Sequence, residues 1–156
     1  MPSTLDRTDR AILTALADNA RISNAELAEQ VHLSPTPCLR RVKRLEESGV
    51  ISKYVTQFNH NALGLAISAL IFVQLERNSL ENGIKFEAAV SNLLAVTECS
   101  VLTGSYDYLL RVIVKDLEHY ERFVKESLAG IAQVSRIETS IVLKQVLSRT
   151  VMPLPD

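Results

Sequence analysis

Four cations within five positions, Arg40, Arg41, Lys43 and Arg44, are the densest chemistry in the chain. Guanidinium and ammonium groups at that density neutralise phosphates, and only Glu46 and Glu47 oppose them nearby. They belong to the stretch SPTPCLRRVKRLEESG at 34–49, in which Cys38, Val42 and Leu45 recur four and three residues apart, with Leu39 beside them. That spacing predicts a helix burying one stripe and showing its cations on the other side, a shape suited to a polyanion. Ser34 can accept from amides of the first turn, Pro35 suits the first helical position, and Gly49 can supply the left-handed residue that ends the run. In a major groove, the first turn with Ser34, Pro35 and Thr36 would reach base edges, while the cations meet phosphates. The plain alternative is a solvated basic face, and the preceding segments decide against it.

Upstream, Asp6 reads as a helix cap with Asp9 in the first turn, and the helix runs through Ile12, Leu13 and Leu16 to about Asp18. Ser23 and Glu26 form a capping box for a second helix with Leu27, Ala28 and Val31 inward. His32 and Leu33 alone separate it from Ser34. Three helices with a tight connection before a basic third one predict a helix-turn-helix. The β-rich run Val50–Phe58 then predicts a wing whose Lys53 meets a flanking phosphate.

A chain of 156 residues, 47% hydrophobic with formal net charge -1, can bury a core but cannot attract nucleic acid wholesale. Binding must come from the local patch. No apolar run approaches the roughly 18 residues of a membrane span, and the N-terminus MPSTLDRTDR lacks a signal pattern, so no membrane partner and a cytoplasmic location are expected. Cys38 and Cys99 have no partner at metal-ligand spacing, and His32, His60 and His119 are scattered. No metal, cofactor or catalytic nucleophile is expected, and hence no enzyme.

The second half predicts strand (66–76), helix (carrying Phe86, Ala89, Val90, Leu93 and Leu94), strand (96–102), turn (103–106), strand (107–115), a helix capped by Asp116 and stopped by Gly130, and a last strand alternating from Ile137 to Gln145. This βαββαβ order predicts a ferredoxin-like sandwich with two helices on one face of an antiparallel sheet. Leu109 and Ile113 are apolar, and so are Leu110, Val112 and Val114, whichever set meets the helices. The excess predicts a second copy on the other face, in a two-fold dimer presenting two basic helices to two half-sites. Two prolines in the tail VMPLPD preclude a further helix.

The segments LDRTDRAILTAL and RISNAELAEQVHLSPTPCLRRVKRLEESGVI resemble the N-terminal domain of the Lrp/AsnC (leucine-responsive regulatory protein) family of prokaryotic transcription regulators. The resemblance extends over about Leu5–Val146. It implies an α+β chain: a winged helix-turn-helix domain over 1–50, a wing and linker strand over 51–66, and a ferredoxin-like effector-binding and oligomerisation domain over 67–156. Gly104, Asp107 and Tyr108 match the family's G-x-x-D-Y loop, which implies contact with a small amino-acid effector between subunits. Tyr106 lies within that loop, and Thr139 and Ser140 match positions on the last strand. The implied partners are double-stranded DNA, the amino-acid effector and further copies of the chain, as a dimer or a tetramer or octamer of dimers. Two alternatives remain open: an architectural DNA binder without effector, and an enzyme similar to sirohaem decarboxylases, for which the second half offers only His119, Arg111 and Arg136.

Overall fold

A computed structural model describes residues 5–77 and 79–147. The chain divides into two compact units, one holding the residues up to Gln57 and the other Phe58–Val146. The expectation for the tail VMPLPD falls outside the described residues.

The first unit contains α1 (Arg7–Asp18), α2 (Asn24–Gln30) and α3 (Pro35–Glu47). Both early helices open on reciprocal capping boxes, Asp6 with Asp9 and Ser23 with Glu26, each satisfying two orphan amides. His32, at φ 56, makes the turn into α3, where the Leu33 amide donates to the Ala28 carbonyl at 2.8 Å. Ile12, Leu27, Ala28, Cys38 and Leu45 close over one another as the core. Each large aliphatic side chain so buried contributes roughly 2 kcal/mol before entropy is counted. Burial also raises the Cys38 thiol pKa, consistent with an inert core cysteine.

Two expectations for this unit need correction. Ser34 makes no side-chain cap, because Pro35 and Pro37 occupy the first and third helical positions and remove the amide that a cap oxygen would usually take. The run Val50–Phe58 forms no strand pair among the described residues: it carries no regular secondary structure, and Tyr54, Val55 and Phe58 are exposed. A strand needs a neighbour for its amides and carbonyls, and none is described beside this one. Ile51 is tied to Leu45 through its amide at 3.0 Å, and the Tyr54 hydroxyl donates to Glu46 at 2.8 Å.

The second unit has β1 (Ile67–Leu75), α4 (Leu80–Ser91), β2 (Val96–Val101), β3 (Tyr108–Val114), α5 (Leu117–Arg122) running on into a π-helical turn at Phe123–Leu128, and β4 (Val134–Ile141). The sheet is antiparallel in the order β2-β3-β1-β4, and both helices pack on one face. Alternation along β3 sends Tyr108, Leu110, Val112 and Val114 to the helices, opposite Val73, Ile71, Ala69 and Ile67 of β1. The wide π turn lets both Phe123 and Leu128 point into this core, though they are five residues apart. On the opposite face, Leu70, Phe72, Leu109 and Ile113 are half-buried and no described helix covers them.

Two boundaries differ from expectation. Ser79 caps α4, which therefore begins at Leu80; its exposed Leu80 and Ile84 break the apolar periodicity that would have marked the first turn. β4 starts at Val134 and stops at Ile141: its ladder with β1 closes at the Ala69–Ile141 pair, the Val142 amide makes one more bond to the Ser68 carbonyl at 2.8 Å, and Leu143 beyond it is 97% exposed.

Candidate nucleic-acid interface and effector loop

The outward side of α3 carries a concavity of about 640 Å³ lined by Thr36, Leu39, Arg40, Arg41, Lys43, Arg44 and Glu47. Ser34, Pro35 and Thr36 are exposed at its leading end. Arg40 and Lys43 are exposed and make no ion pair among the described residues. Lys53 is likewise exposed, on an irregular segment rather than on a strand.

Arg41 and Arg44 behave differently from the expected free face. Nη1 of Arg41 donates to Asp6 Oδ2 at 2.6 Å and to Asp9 Oδ1 at 2.8 Å, and Nη2 of Arg44 donates to Asp9 Oδ2 at 2.5 Å. The capping box of α1 thus supplies the acceptors, so α3 offers two unpaired cations and two paired ones rather than four of a kind. The Asp9 backbone amide, then Arg41, hold the Asp6 carboxyl below its ordinary range; in return Asp6, then Asp9, hold the Arg41 guanidinium up. Sequence reasoning also missed Asn24, whose Nδ2 donates to the Pro35 carbonyl at 2.9 Å and ties α2 to the first turn of α3. Nothing in the local pattern signals a bond across eleven residues.

The loop candidates separate onto different sides of the sheet. Gly104, at φ 124, makes the turn that L side chains rarely adopt, and the Leu102 amide closes the hairpin on the Asp107 carbonyl at 2.8 Å. Asp107 engages β1 twice: its amide donates to Val73 at 2.9 Å, and its Oδ2 accepts from the Leu75 amide at 2.8 Å. Tyr106 lies on the open face with its ring 5.5 Å from Phe72 and under the Arg136 guanidinium at 5.6 Å, and its hydroxyl donates to Glu138. Ser140, opposite Leu70, shares that face and is exposed. Tyr108 and Thr139 point the other way. Tyr108 packs against Phe86 with centroids 4.6 Å apart and donates to Glu87 Oε1 at 2.8 Å. Burial, then the Glu87 carboxylate, push its phenol pKa up to about 12. Thr139 accepts from the Tyr120 hydroxyl at 2.6 Å.

Among the described residues the six are therefore divided between the two faces of the sheet. A groove of about 390 Å³ beside β2 is lined by Tyr108 but by none of the other five. Phe72, Arg136 and Glu138 surround Tyr106 and were not legible as a group, because β1 and β4 lie far apart in sequence. The groups considered for tetrapyrrole chemistry are dispersed too: His119 bonds Asp116 at 2.7 Å, Arg111 pairs with Glu98 at 3.2 Å, and Arg136 stacks on Tyr106. Among the described residues no group of His, Cys, Asp or Glu could hold a metal ion, and no helix is long and apolar enough to cross a membrane.

A basic helix-turn-helix joined to a βαββαβ sandwich is the architecture of a DNA-binding protein with a second unit. Residues 5–52 match the family described as winged helix-turn-helix DNA-binding, and residues 68–152 match the Lrp/AsnC ligand binding domain. The chain is 41% identical over 150 residues to the Bkd operon transcriptional regulator of Pseudomonas aeruginosa, covering 96% of this chain and 98% of that protein. It is 39% identical over 142 residues to the leucine-responsive regulatory protein of Salmonella typhimurium, covering 91% and 87% respectively. A transcriptional regulator of Neisseria meningitidis, solved as an L-Met complex, superposes with a TM-score of 0.92 at 37% identity over 96% of this chain and 97% of that one. The chain belongs to the Lrp/AsnC family of transcription regulators.

Proposed function

We propose that the protein is a sequence-specific DNA-binding transcription regulator whose DNA binding or assembly responds to a small amino acid. The observation that carries the DNA half is the exposed leading turn of α3, Ser34, Pro35 and Thr36, followed on the same helix by the unpaired cations Arg40 and Lys43. Ser34 keeps a free hydroxyl because no cap consumes it. Arg41 and Arg44 line the same concavity, and the exposed Lys53 is a further proposed phosphate contact. Base choice belongs to the first turn, and affinity to the cations.

For the effector half, support comes from the matched ligand-binding domain and from the L-Met carried by the Neisseria relative. Gly104, Tyr106, Asp107, Tyr108, Thr139 and Ser140 are the proposed contacts. Their separation over two sheet faces fits a site completed by a second copy, since the open face with Leu70, Phe72, Leu109 and Ile113 is apolar enough to bury. A two-fold dimer, and a tetramer or octamer of such dimers, would place pairs of α3 helices at half-site spacing. An effector then acts by binding one arrangement better than another, by roughly 1–3 kcal/mol. One observation favours the architectural reading without effector: the Asp107 carboxylate already serves the β1 backbone.

The test is selection of duplexes from a randomised DNA library, followed by gel-shift and sedimentation with each of the twenty amino acids at millimolar concentration. An enriched sequence whose affinity or complex size shifts with one amino acid is expected. Enrichment without any such shift leaves the architectural reading, and no enrichment removes the DNA reading.

A further inference from the structure

Resting on the reading that α3 meets DNA, we propose that Asp9 is a positioning residue for recognition. Its buried carboxylate aims the Arg41 and Arg44 guanidiniums, and so governs which duplex is preferred rather than how strongly any duplex is held. Asp9 is 1% exposed, whereas the side chains it grips are 29% exposed for Arg41 and 57% for Arg44. Anchor and tools are thus on opposite sides of the protein surface. The carboxylate cannot drift, because the Asp6 amide donates to Asp9 Oδ2 at 3.2 Å while the Asp9 amide donates to Asp6 Oδ1 at 2.7 Å. A capping box that would ordinarily only start a helix here also fixes the direction of two long side chains on another helix.

Each guanidinium keeps donors for an outside partner. Arg41 makes its bonds to both aspartates through Nη1, and Arg44 makes its bond through Nη2. A guanidinium has five N–H groups in a rigid fork, so the remaining nitrogens stay available at a set angle. Arg40 and Lys43 have no such anchor among the described residues and can swing to follow any phosphate. A buried carboxylate deprived of its cations would be costly, so this arrangement persists in the free protein instead of forming only on DNA. Pre-set geometry of this kind contributes to discrimination, whereas freely moving charge contributes to general affinity.

The sign of the effect separates this role from simple charge. Asp9→Asn removes a negative charge from a DNA-facing unit, so electrostatics alone strengthens binding to every duplex. The full-length chain and its Asp9→Asn, Asp6→Asn, Arg44→Ala and Asp9→Asn/Arg44→Ala variants are titrated with the duplex that the wild type selects from a randomised library, and with a shuffled duplex of the same composition. Positioning predicts that Asp9→Asn lowers affinity for the selected duplex about tenfold while shuffled-duplex affinity holds or rises. Asp6→Asn, at a half-exposed cap residue that bonds Arg41 but not Arg44, should reduce the ratio less, and asparagine still caps the helix so the fold is kept. Adding Arg44→Ala to Asp9→Asn should cost less than Arg44→Ala costs alone. Both affinities rising together, or both falling in step with the folded fraction seen by circular dichroism, would overturn the assignment, as would an unchanged ratio in both single variants. A wild type that enriches no duplex would instead sink the DNA reading beneath it.

Discussion

The two candidate surfaces obey different geometry. On α3, residues three and four apart share a face, so Arg40, Lys43 and Arg44 stay neighbours once the helix forms. Around Gly104 the candidates lie on strands and a turn, where successive side chains alternate, so Tyr106 and Tyr108 face opposite sides of one sheet. A cluster in sequence thus remains a cluster on a helix and is divided on a strand. The first surface lies along one helix of one chain; the second, on the proposed reading, would be completed by another chain.

The largest effect expected from this contrast is on DNA affinity. Arg40→Ala and Lys43→Ala should each weaken binding several-fold and lower the salt slope by about one unit, read by fluorescence anisotropy across a series of NaCl concentrations. Arg41→Ala should lower the slope less and the melting temperature more, because its nitrogen already serves Asp6 and Asp9. Equal slopes for the Arg40 and Arg41 variants would erase the distinction between paired and unpaired cations.

On the other surface, Asp107→Asn should cost about 1 kcal/mol in urea unfolding, since the charged acceptor of the Leu75 amide becomes a neutral one. A lost effector response at full stability would show instead that Asp107 acts mainly on ligand. Gly83→Ala is sharper still as a probe of the helix side, because the new Cβ would meet the Tyr108 hydroxyl at 2.9 Å. The Tyr108 ring is packed, so the variant should lose about 1 kcal/mol despite alanine's better helix propensity. Removing the oxygen in Gly83→Ala/Tyr108→Phe should recover part of that loss; additive losses would mean the hydroxyl is not the obstacle.

The smallest effect is the acid response of the first unit. Asp6 is held below its ordinary value near 3.8, so its contribution to stability is complete above that value and disappears as pH falls through the lowered one. Asp6→Asn should flatten the fall in melting temperature between about pH 5 and pH 2. An unchanged acid limb would place that dependence elsewhere.

Much of the fold was legible because its signals are local. Capping boxes span one turn, the stripe of Cys38, Val42 and Leu45 spans two, and the alternation of β3 is written in seven consecutive residues. Boundaries failed where the signal was not local. Ser34 has the residue type of a cap but Pro37 removes the amide it would take, the composition of residues 50–58 suits a strand although a strand requires a neighbour, and the apolar alternation of the last strand runs on past Ile141, where its ladder with β1 closes.

From the residues alone follow the three helices, the cations of the third and the βαββαβ order, since each rests on periodicities of a few positions. Tertiary structure alone decided that Arg44 answers to an aspartate 35 residues away, that Asn24 holds the first turn of α3, and that Tyr106 and Tyr108 belong to different faces. Ion pairs and shared faces are distances in space, and a linear pattern constrains them only after the chain has packed.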